Sequence, residues 1–167
     1  LADGVQMGPA VSASQRDTDL AYVEIANEEG ATVLTGGVAG EGHGYFVTPT
    51  VIGNVRPDMR IAQEEVFGPV LVITPFETEQ EAIEIANGTD FGLVAGVFGE
   101  SLNQTLRVAQ QLRGGQVFIN EWFAGGIETP FGGVGLSGFG REKGQEAIYS
   151  YVQTRNIAIR LQQDSNV

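Results

Sequence analysis

The chain is predicted to be an α/β protein, with βαβ units on a mostly parallel sheet covered by helices and a C-terminal strand. Three observations carry this. Residues 70–120 read strand, helix, strand, helix, strand, the order that builds parallel sheets. Val70-Leu71-Val72-Ile73-Thr74 is a short continuous apolar run, expected of a strand covered on both faces. Ile157, Ile159 and Leu161 alternate with Ala158 and Arg160, the period-2 pattern of a strand at the end of the chain.

The elements follow in order. Ser12 to Glu29 reads as a helix that Ser12 can cap, with Leu20, Val23 and Ala26 or Ile25 as its apolar stripe. Ala31 to Leu34 is a short strand closed by Gly36-Gly37, and Val38 to Gly44 a turn-rich loop. Phe46 to Ile52 is extended and β-branched, but Pro49 cannot donate to a ladder and predicts an edge or a bulge. Thr78 opens a helix with Glu81 three residues on, a capping box, and Ala82, Ile83 and Ala86 form its buried face. Val94 to Phe98 is the next strand. Ser101 caps a helix with Leu102, Leu106, Ala109 and Leu112 on one side and Gly114 at its end. Gln116 to Asn120 is a strand, and a helix is expected from about Arg141 to Tyr149. The terminal strand has no sequence neighbour to pair with. It wants a sheet edge on another subunit or, alternatively, within its own chain.

Composition narrows the function. A chain of 167 residues fits one domain and can bury close to roughly 70% of its unfolded surface. Nine basic and 21 acidic residues give a net charge of -12, which repels phosphate backbones, so no nucleic-acid partner is expected. No apolar run approaches the roughly 18 residues of a membrane span, and no signal peptide is visible, so a cytoplasmic protein with no membrane partner is expected. The chain opens on Leu1 rather than methionine, as a processed, tag-cleaved or partial chain would. It has no cysteine, which leaves it no disulfide, thiolate metal site or cysteine nucleophile of its own. Its one histidine, His43, sits among glycines as a solvated loop residue, and no metal site is expected.

The run from Thr129 to Gly144 invites a false reading. Gly133, Gly135 and Gly138 spell the G-x-G-x-x-G of a dinucleotide-binding loop. That loop needs a strand directly before it and a helix opening inside it. The nearest strand ends at Asn120, with Gly125, Gly126 and Pro130 in between. With 24 glycines, about twice the usual share of roughly 7%, a chance match is unsurprising.

Taken at full length, the motifs point elsewhere. Met7-Gly8-Pro9-Ala10-Val11-Ser12 comes first, then Gly44-Tyr45-Phe46 with Pro49-Thr50-Val51, then Ile61-Ala62-Gln63-Glu64-Glu65-Val66-Phe67-Gly68-Pro69-Val70. Ala82-Ile83 with Ala86-Asn87, Phe91-Gly92-Leu93 with Ala95-Gly96-Val97-Phe98, and Val117-Phe118-Ile119-Asn120 follow. Last is Pro130-Phe131-Gly132-Gly133 with Ser137-Gly138, Gly140-Arg141-Glu142 and Gly144. In this order the motifs resemble the NAD(P)-dependent aldehyde dehydrogenase superfamily over essentially the whole chain, and correspond to its C-terminal third.

The resemblance implies residues 1–151 as part of a catalytic domain and residues 152–167 as an oligomerisation strand and tail. The parent enzyme would oxidise an aldehyde to a carboxylic acid with NAD or NADP. Its cysteine nucleophile, its glutamate base and its cofactor loop would all lie upstream of Leu1. No catalytic residue is expected in this chain, which should be inactive alone and bind the dinucleotide weakly or not at all. A free-standing, non-catalytic binding or assembly module of the same fold is the alternative.

The resemblance also assigns site residues. Glu65 is implied to accept hydrogen bonds from the nicotinamide-ribose hydroxyls, and Phe67 to lie beside the nicotinamide ring. By themselves Glu64-Glu65 would read as a solvated pair and Phe67 as core. Phe131 is implied as an aromatic wall of the aldehyde tunnel. Trp122 and Phe123 lie in the loop that varies with substrate, and Trp122 reads equally as packing or as pocket wall. The loop Glu121 to Glu128 looks like that of members acting on amino- or carboxyl-bearing semialdehydes and betaine-type aldehydes. Arg141 reads as a salt-bridged residue at a helix start, and Asn120 as fixing the loop that follows it. Gly135 stands where many members carry lysine, and Ala10 where a larger apolar residue is common. A homo-oligomer formed through residues 152–161 is expected.

Overall fold

The computed structural model describes residues 6–161. Helix α1 (Ala13–Glu28) starts where predicted, with the Ser12 hydroxyl accepting from the Gln15 N–H at 3.1 Å. Its buried positions are Asp19, Val23 and Ala26, one face at helical spacing. The Ala31 N–H returns to the Ala26 carbonyl and leads into β1 (Thr32–Thr35).

Strand β2 (Thr50–Gly53) pairs antiparallel with β1 and parallel with β3 (Val70–Val72). It is therefore the middle strand of a mixed three-stranded sheet rather than an edge. Pro49 is no obstacle, because it lies just outside the paired residues. An irregularity does occur, in the β1 register between Val33 and Thr35. The short helix α2 (Arg60–Gln63) links β2 to β3. Val23, Ala26, Ala31, Ile52, Val55, Met59 and Ile61 form the core under this sheet, with Tyr22, Val66 and Val70 packed against it.

The cover on β3 is one-sided. Leu71 is 60% exposed and Ile73 46%, so the expectation of a strand buried on both faces fails within the described residues. The expected run of strands through residue 120 also divides in two. Helix α3 (Glu79–Asn87) leads from β3 to β4 (Val94–Val97), yet among the described residues β4 pairs only with β5 (Gln116–Ile119), in a separate parallel sheet. The outer edge of β3 has no partner among the described residues.

Both predicted serine and threonine caps form here. Thr78 Oγ1 accepts from the Glu81 N–H, and Ser101 Oγ from the Gln104 N–H at the start of α4 (Leu102–Ala109). The buried faces differ from expectation. On α3 only Ile83 is fully buried, and Ala86 is exposed. On α4 the buried residue is Thr105, its hydroxyl donating to the Leu102 carbonyl, while Leu102 and Leu106 point outward at 63% and 43% exposure.

The C-terminal region departs furthest. Instead of a helix from Arg141 there is a 3-10 helix over Gln145–Ser150. Arg141 and Glu142 cannot join it, because Glu142 exchanges two backbone hydrogen bonds of 2.7 Å with Phe131, and Gly144 enters it at φ 60° without a side-chain cap. Residues 152–161 form no strand and are exposed throughout, since their alternating apolar side chains meet no partner among the described residues. The last part of the predicted tail, residues 162–167, lies outside the described residues.

Candidate functional site

The candidate residues sit on three loops at the strand ends. The α2–β3 loop carries Glu65 and Phe67, the loop after β5 carries Trp122 and Phe123, and the glycine-rich run carries Phe131.

Glu65 is exposed on a cleft of about 590 Å³ lined also by Glu64, Asn87, Arg113, Leu136 and Ser137. Its carboxylate accepts no hydrogen bond from the described residues, so both oxygens remain available to a diol. Phe67 is on the same loop but not in the same cleft. It is 79% exposed, with φ +59°, beside a cavity of about 380 Å³ lined by Met7, Gly8, Gln15, Asp19 and Val47. Its ring is no core residue.

The loop is held from behind. Tyr22 on α1 donates its hydroxyl to Glu64 Oε2 at 2.6 Å, and Arg60 donates to both Glu64 oxygens at 2.8 Å. The Arg60 guanidinium lies 5.6 Å over the Tyr22 ring. Hydrogen bonds from Arg60 and then Tyr22 pull the Glu64 carboxyl down to about 2, and the same carboxylate raises the Tyr22 phenol above its ordinary value. Beyond Glu65, Gln15 Nε2 donates to the Val66 carbonyl at 2.9 Å and to Asp19 Oδ1 at 2.7 Å. Asp19 is wholly buried, and its Oδ2 has no partner among the described residues. None of these supports was visible in the chain alone, because Asp19 falls in the middle of a helix where a carboxylate ordinarily faces water.

The aromatic residues come together only in part. Phe123 and Phe131 line one cavity of about 410 Å³ with Phe118 and Lys143, while Trp122 does not reach it. Trp122 packs edge-on against Phe123 with centroids 5.6 Å apart, and its ring lies over Gly96, where any β-carbon would come within 2.6 Å of it. Phe131 also faces a larger cleft of about 950 Å³, shared with Leu93, Ile127, Arg141 and Ala147. Lys143 Nζ stands 5.7 Å over the Phe131 ring.

Two supporting residues behave differently from expectation. Arg141 forms no ion pair among the described residues. Its guanidinium donates instead to the Gly133 and Gly140 carbonyls, because the tight glycine turns present carbonyls rather than carboxylates. Asn120 ties back to Gly99 on the β4–α4 loop rather than forward to the loop after it.

The glycine run is engaged with its own chain. The Val134 and Leu136 N–H groups donate to the Gly92 and Asp90 carbonyls, and Gly135, at φ +61°, lies so close to Asp90 that a β-carbon there would collide with its carbonyl. A phosphate cradle would leave those amides free. Among the described residues, no group of three metal-ligating side chains converges and no helix is long and apolar enough to cross a membrane.

Comparison with known proteins decides the family. The aldehyde dehydrogenase family profile matches residues 1–157. The chain belongs to the aldehyde dehydrogenase family. It is 48% identical over 155 residues to a betaine aldehyde dehydrogenase of Cereibacter sphaeroides, covering 93% of this chain and 32% of that protein. It is 41% identical over 167 residues to the 4-trimethylaminobutyraldehyde dehydrogenase of Mus musculus, covering 96% and 34%. The solved NAD+ complex of a Bacillus cereus aldehyde dehydrogenase superposes with a TM-score of 0.92 at 40% identity, over 96% of this chain and 33% of that one. The α/β fold is thus that of aldehyde dehydrogenase chains, and this aldehyde dehydrogenase segment spans about a third of the length of the relatives it matches.

Proposed function

We propose that this chain is the C-terminal third of a cytoplasmic enzyme that oxidises an aldehyde to a carboxylic acid with NAD or NADP. The observation that carries the reading is a family match along residues 1–157 in a chain that has no cysteine and spans a third of its relatives. In this reading the nucleophile and the base belong to the preceding part of the protein, and this segment alone is inactive. The dinucleotide, when bound, supplies the two-electron acceptor. Glu65 accepts the ribose hydroxyls, Phe67 flanks the nicotinamide, and Phe131 with Phe123 walls the aldehyde path and excludes water. Trp122 stiffens that wall through Phe123.

Residues 1–151 are assigned to the catalytic domain and 152–161 to a segment that becomes a strand on meeting a second copy in a homo-oligomer. The exposed outer face of β3 and the outward Leu102 and Leu106 support a segment made to be covered, against a free-standing module. The aldehyde is proposed to carry an amino or trimethylammonium group. The names of the relatives support this.

The test is NADH formation with betaine aldehyde, 4-trimethylaminobutyraldehyde and a neutral aldehyde of similar length. The segment alone should give none, and the full reading frame should favour the cationic substrates. Turnover by the segment alone would overturn the reading, and equal kcat/KM for all three aldehydes would overturn the substrate class.

A further inference from the structure

The α2–β3 loop reaches its conformation by being held at two points, one on each side of Glu65. Before it, Glu64 takes the Tyr22 hydroxyl and the two-pronged Arg60 guanidinium. After it, the Val66 carbonyl takes Gln15 Nε2, whose other hydrogen bond goes to buried Asp19. Gln15, Asp19 and Tyr22 are spaced i, i+4, i+7 and so share one face of α1. Asp19 is 0% exposed, and Gly68 is the residue that leaves room for its carboxylate, since a β-carbon there would overlap it. A carboxylate buried this deeply costs stability unless its hydrogen bonds compensate. Here its hydrogen bond orients an amide whose second proton holds the loop.

We propose that Gln15, Asp19 and Tyr22 are positioning residues that clamp the loop on both sides of Glu65, through the Glu64 carboxylate and the Val66 carbonyl, and so fix the Glu65 carboxylate in its cleft to receive the cofactor ribose. This rests on the assignment of Glu65 to the ribose. Among the described residues nothing donates a hydrogen bond to the Glu65 carboxylate, so its direction is set by how its neighbours Glu64 and Val66 are held. A ribose-binding carboxylate displaced by a fraction of an ångström loses its paired hydrogen bonds. The three clamp residues touch neither cofactor nor aldehyde and act only through the loop.

The experiment uses the full-length dehydrogenase containing this segment, with steady-state kinetics at varied NAD+ and thermal unfolding of each variant. Gln15→Ala and Tyr22→Phe should each raise the KM for NAD+ about tenfold, the equivalent of one hydrogen bond to a charged group. The rise in KM should exceed any fall in kcat, and the KM for aldehyde should stay unchanged; the melting temperature should hold within a few degrees for Tyr22→Phe and fall for Gln15→Ala, which leaves the buried Asp19 carboxylate without its donor. Asp19→Asn keeps an oxygen to receive Gln15, so its KM for NAD+ should stay below that of Gln15→Ala, and a KM as high as that variant's would count against the clamp. An unchanged KM for NAD+ in both Gln15→Ala and Tyr22→Phe, or a proportional loss of kcat, aldehyde affinity and thermal stability together, would overturn the clamp. Glu65→Ala separates the two ideas. If it raises the KM for NAD+ while the clamp variants do not, only the clamp fails. If it leaves that KM unchanged, the ribose assignment fails and the clamp with it.

Discussion

The side-chain amide of Asn120 pairs in both directions with the backbone of Gly99. Its Oδ1 accepts from the Gly99 N–H and its Nδ2 donates to the Gly99 carbonyl, each at 2.8 Å. Asn120 follows β5 and Gly99 follows β4 by two residues, so one side chain continues the parallel ladder past the point where the backbones separate. Asn120 also holds φ +53°, a conformation asparagine tolerates better than most residues.

Replacing Asn120 with alanine should therefore cost about 2 kcal/mol, from two modest hydrogen bonds and the left-handed backbone together. Urea unfolding of the two proteins measures it. Asn120→Asp, which keeps the acceptor and loses the donor, should fall between them, and equal midpoints for all three would contradict the ladder role.

The Tyr22–Glu64–Arg60 group predicts a pH window. The folded-state value of Glu64 is depressed, from 4.5 to about 2, so its contribution is complete above pH 4.5 and is lost as pH falls toward 2. Tyr22 is shifted the other way, above 10.0, so its contribution is present below that pH and is lost on the alkaline side. Melting temperatures of wild type and Glu64→Gln, compared across pH, should differ most between these limits and converge at the acid end. A constant difference down to pH 2 would refute the assignment.

Gly68→Ala should destabilise the protein by about 1–3 kcal/mol through steric conflict alone, because the added methyl overlaps the Asp19 carboxylate. Combining it with Asp19→Ala should recover part of the loss, a non-additivity that reports contact between the two sites. Additive effects in chemical denaturation would show that the overlap is relieved elsewhere.

The segment on its own should self-associate. Leu71, Ile73, Leu102 and Leu106 are exposed, and the extended residues 152–161 offer unpaired backbone. Light scattering should report a dimer or larger, and deletion of 152–161 should reduce the mass. A monomer at high concentration would contradict this.

The legible parts of the fold were the local ones. Ser12, Thr78 and Ser101 cap their helices because a hydroxyl and a free N–H two or three residues on need nothing distant. Even the return arm of the Thr78 box nearly forms, with Glu81 accepting from the Glu77 N–H instead of the Thr78 N–H. What could not be seen depended on distant partners. The stripe of Leu102 and Leu106 carried the right period, yet Thr105 is the residue that turns inward. The alternation of Ile157 to Leu161 implied a strand, but a strand exists only with a neighbour to bond. At the candidate site, family motifs singled out Glu65 and Phe67. The α1 residues behind them, more than 40 positions away in sequence, became visible only once the hydrogen bonds were in view.

Trp122 is the single tryptophan of the chain, held between the Phe123 ring and the bare backbone of Gly96. All of the segment's indole fluorescence therefore originates in the 121–128 loop, beside the cavity that Phe123 and Phe131 enclose. Its emission wavelength and quenching become a built-in optical gauge of whether that loop is docked or lifted, with no label to attach and no second indole to subtract.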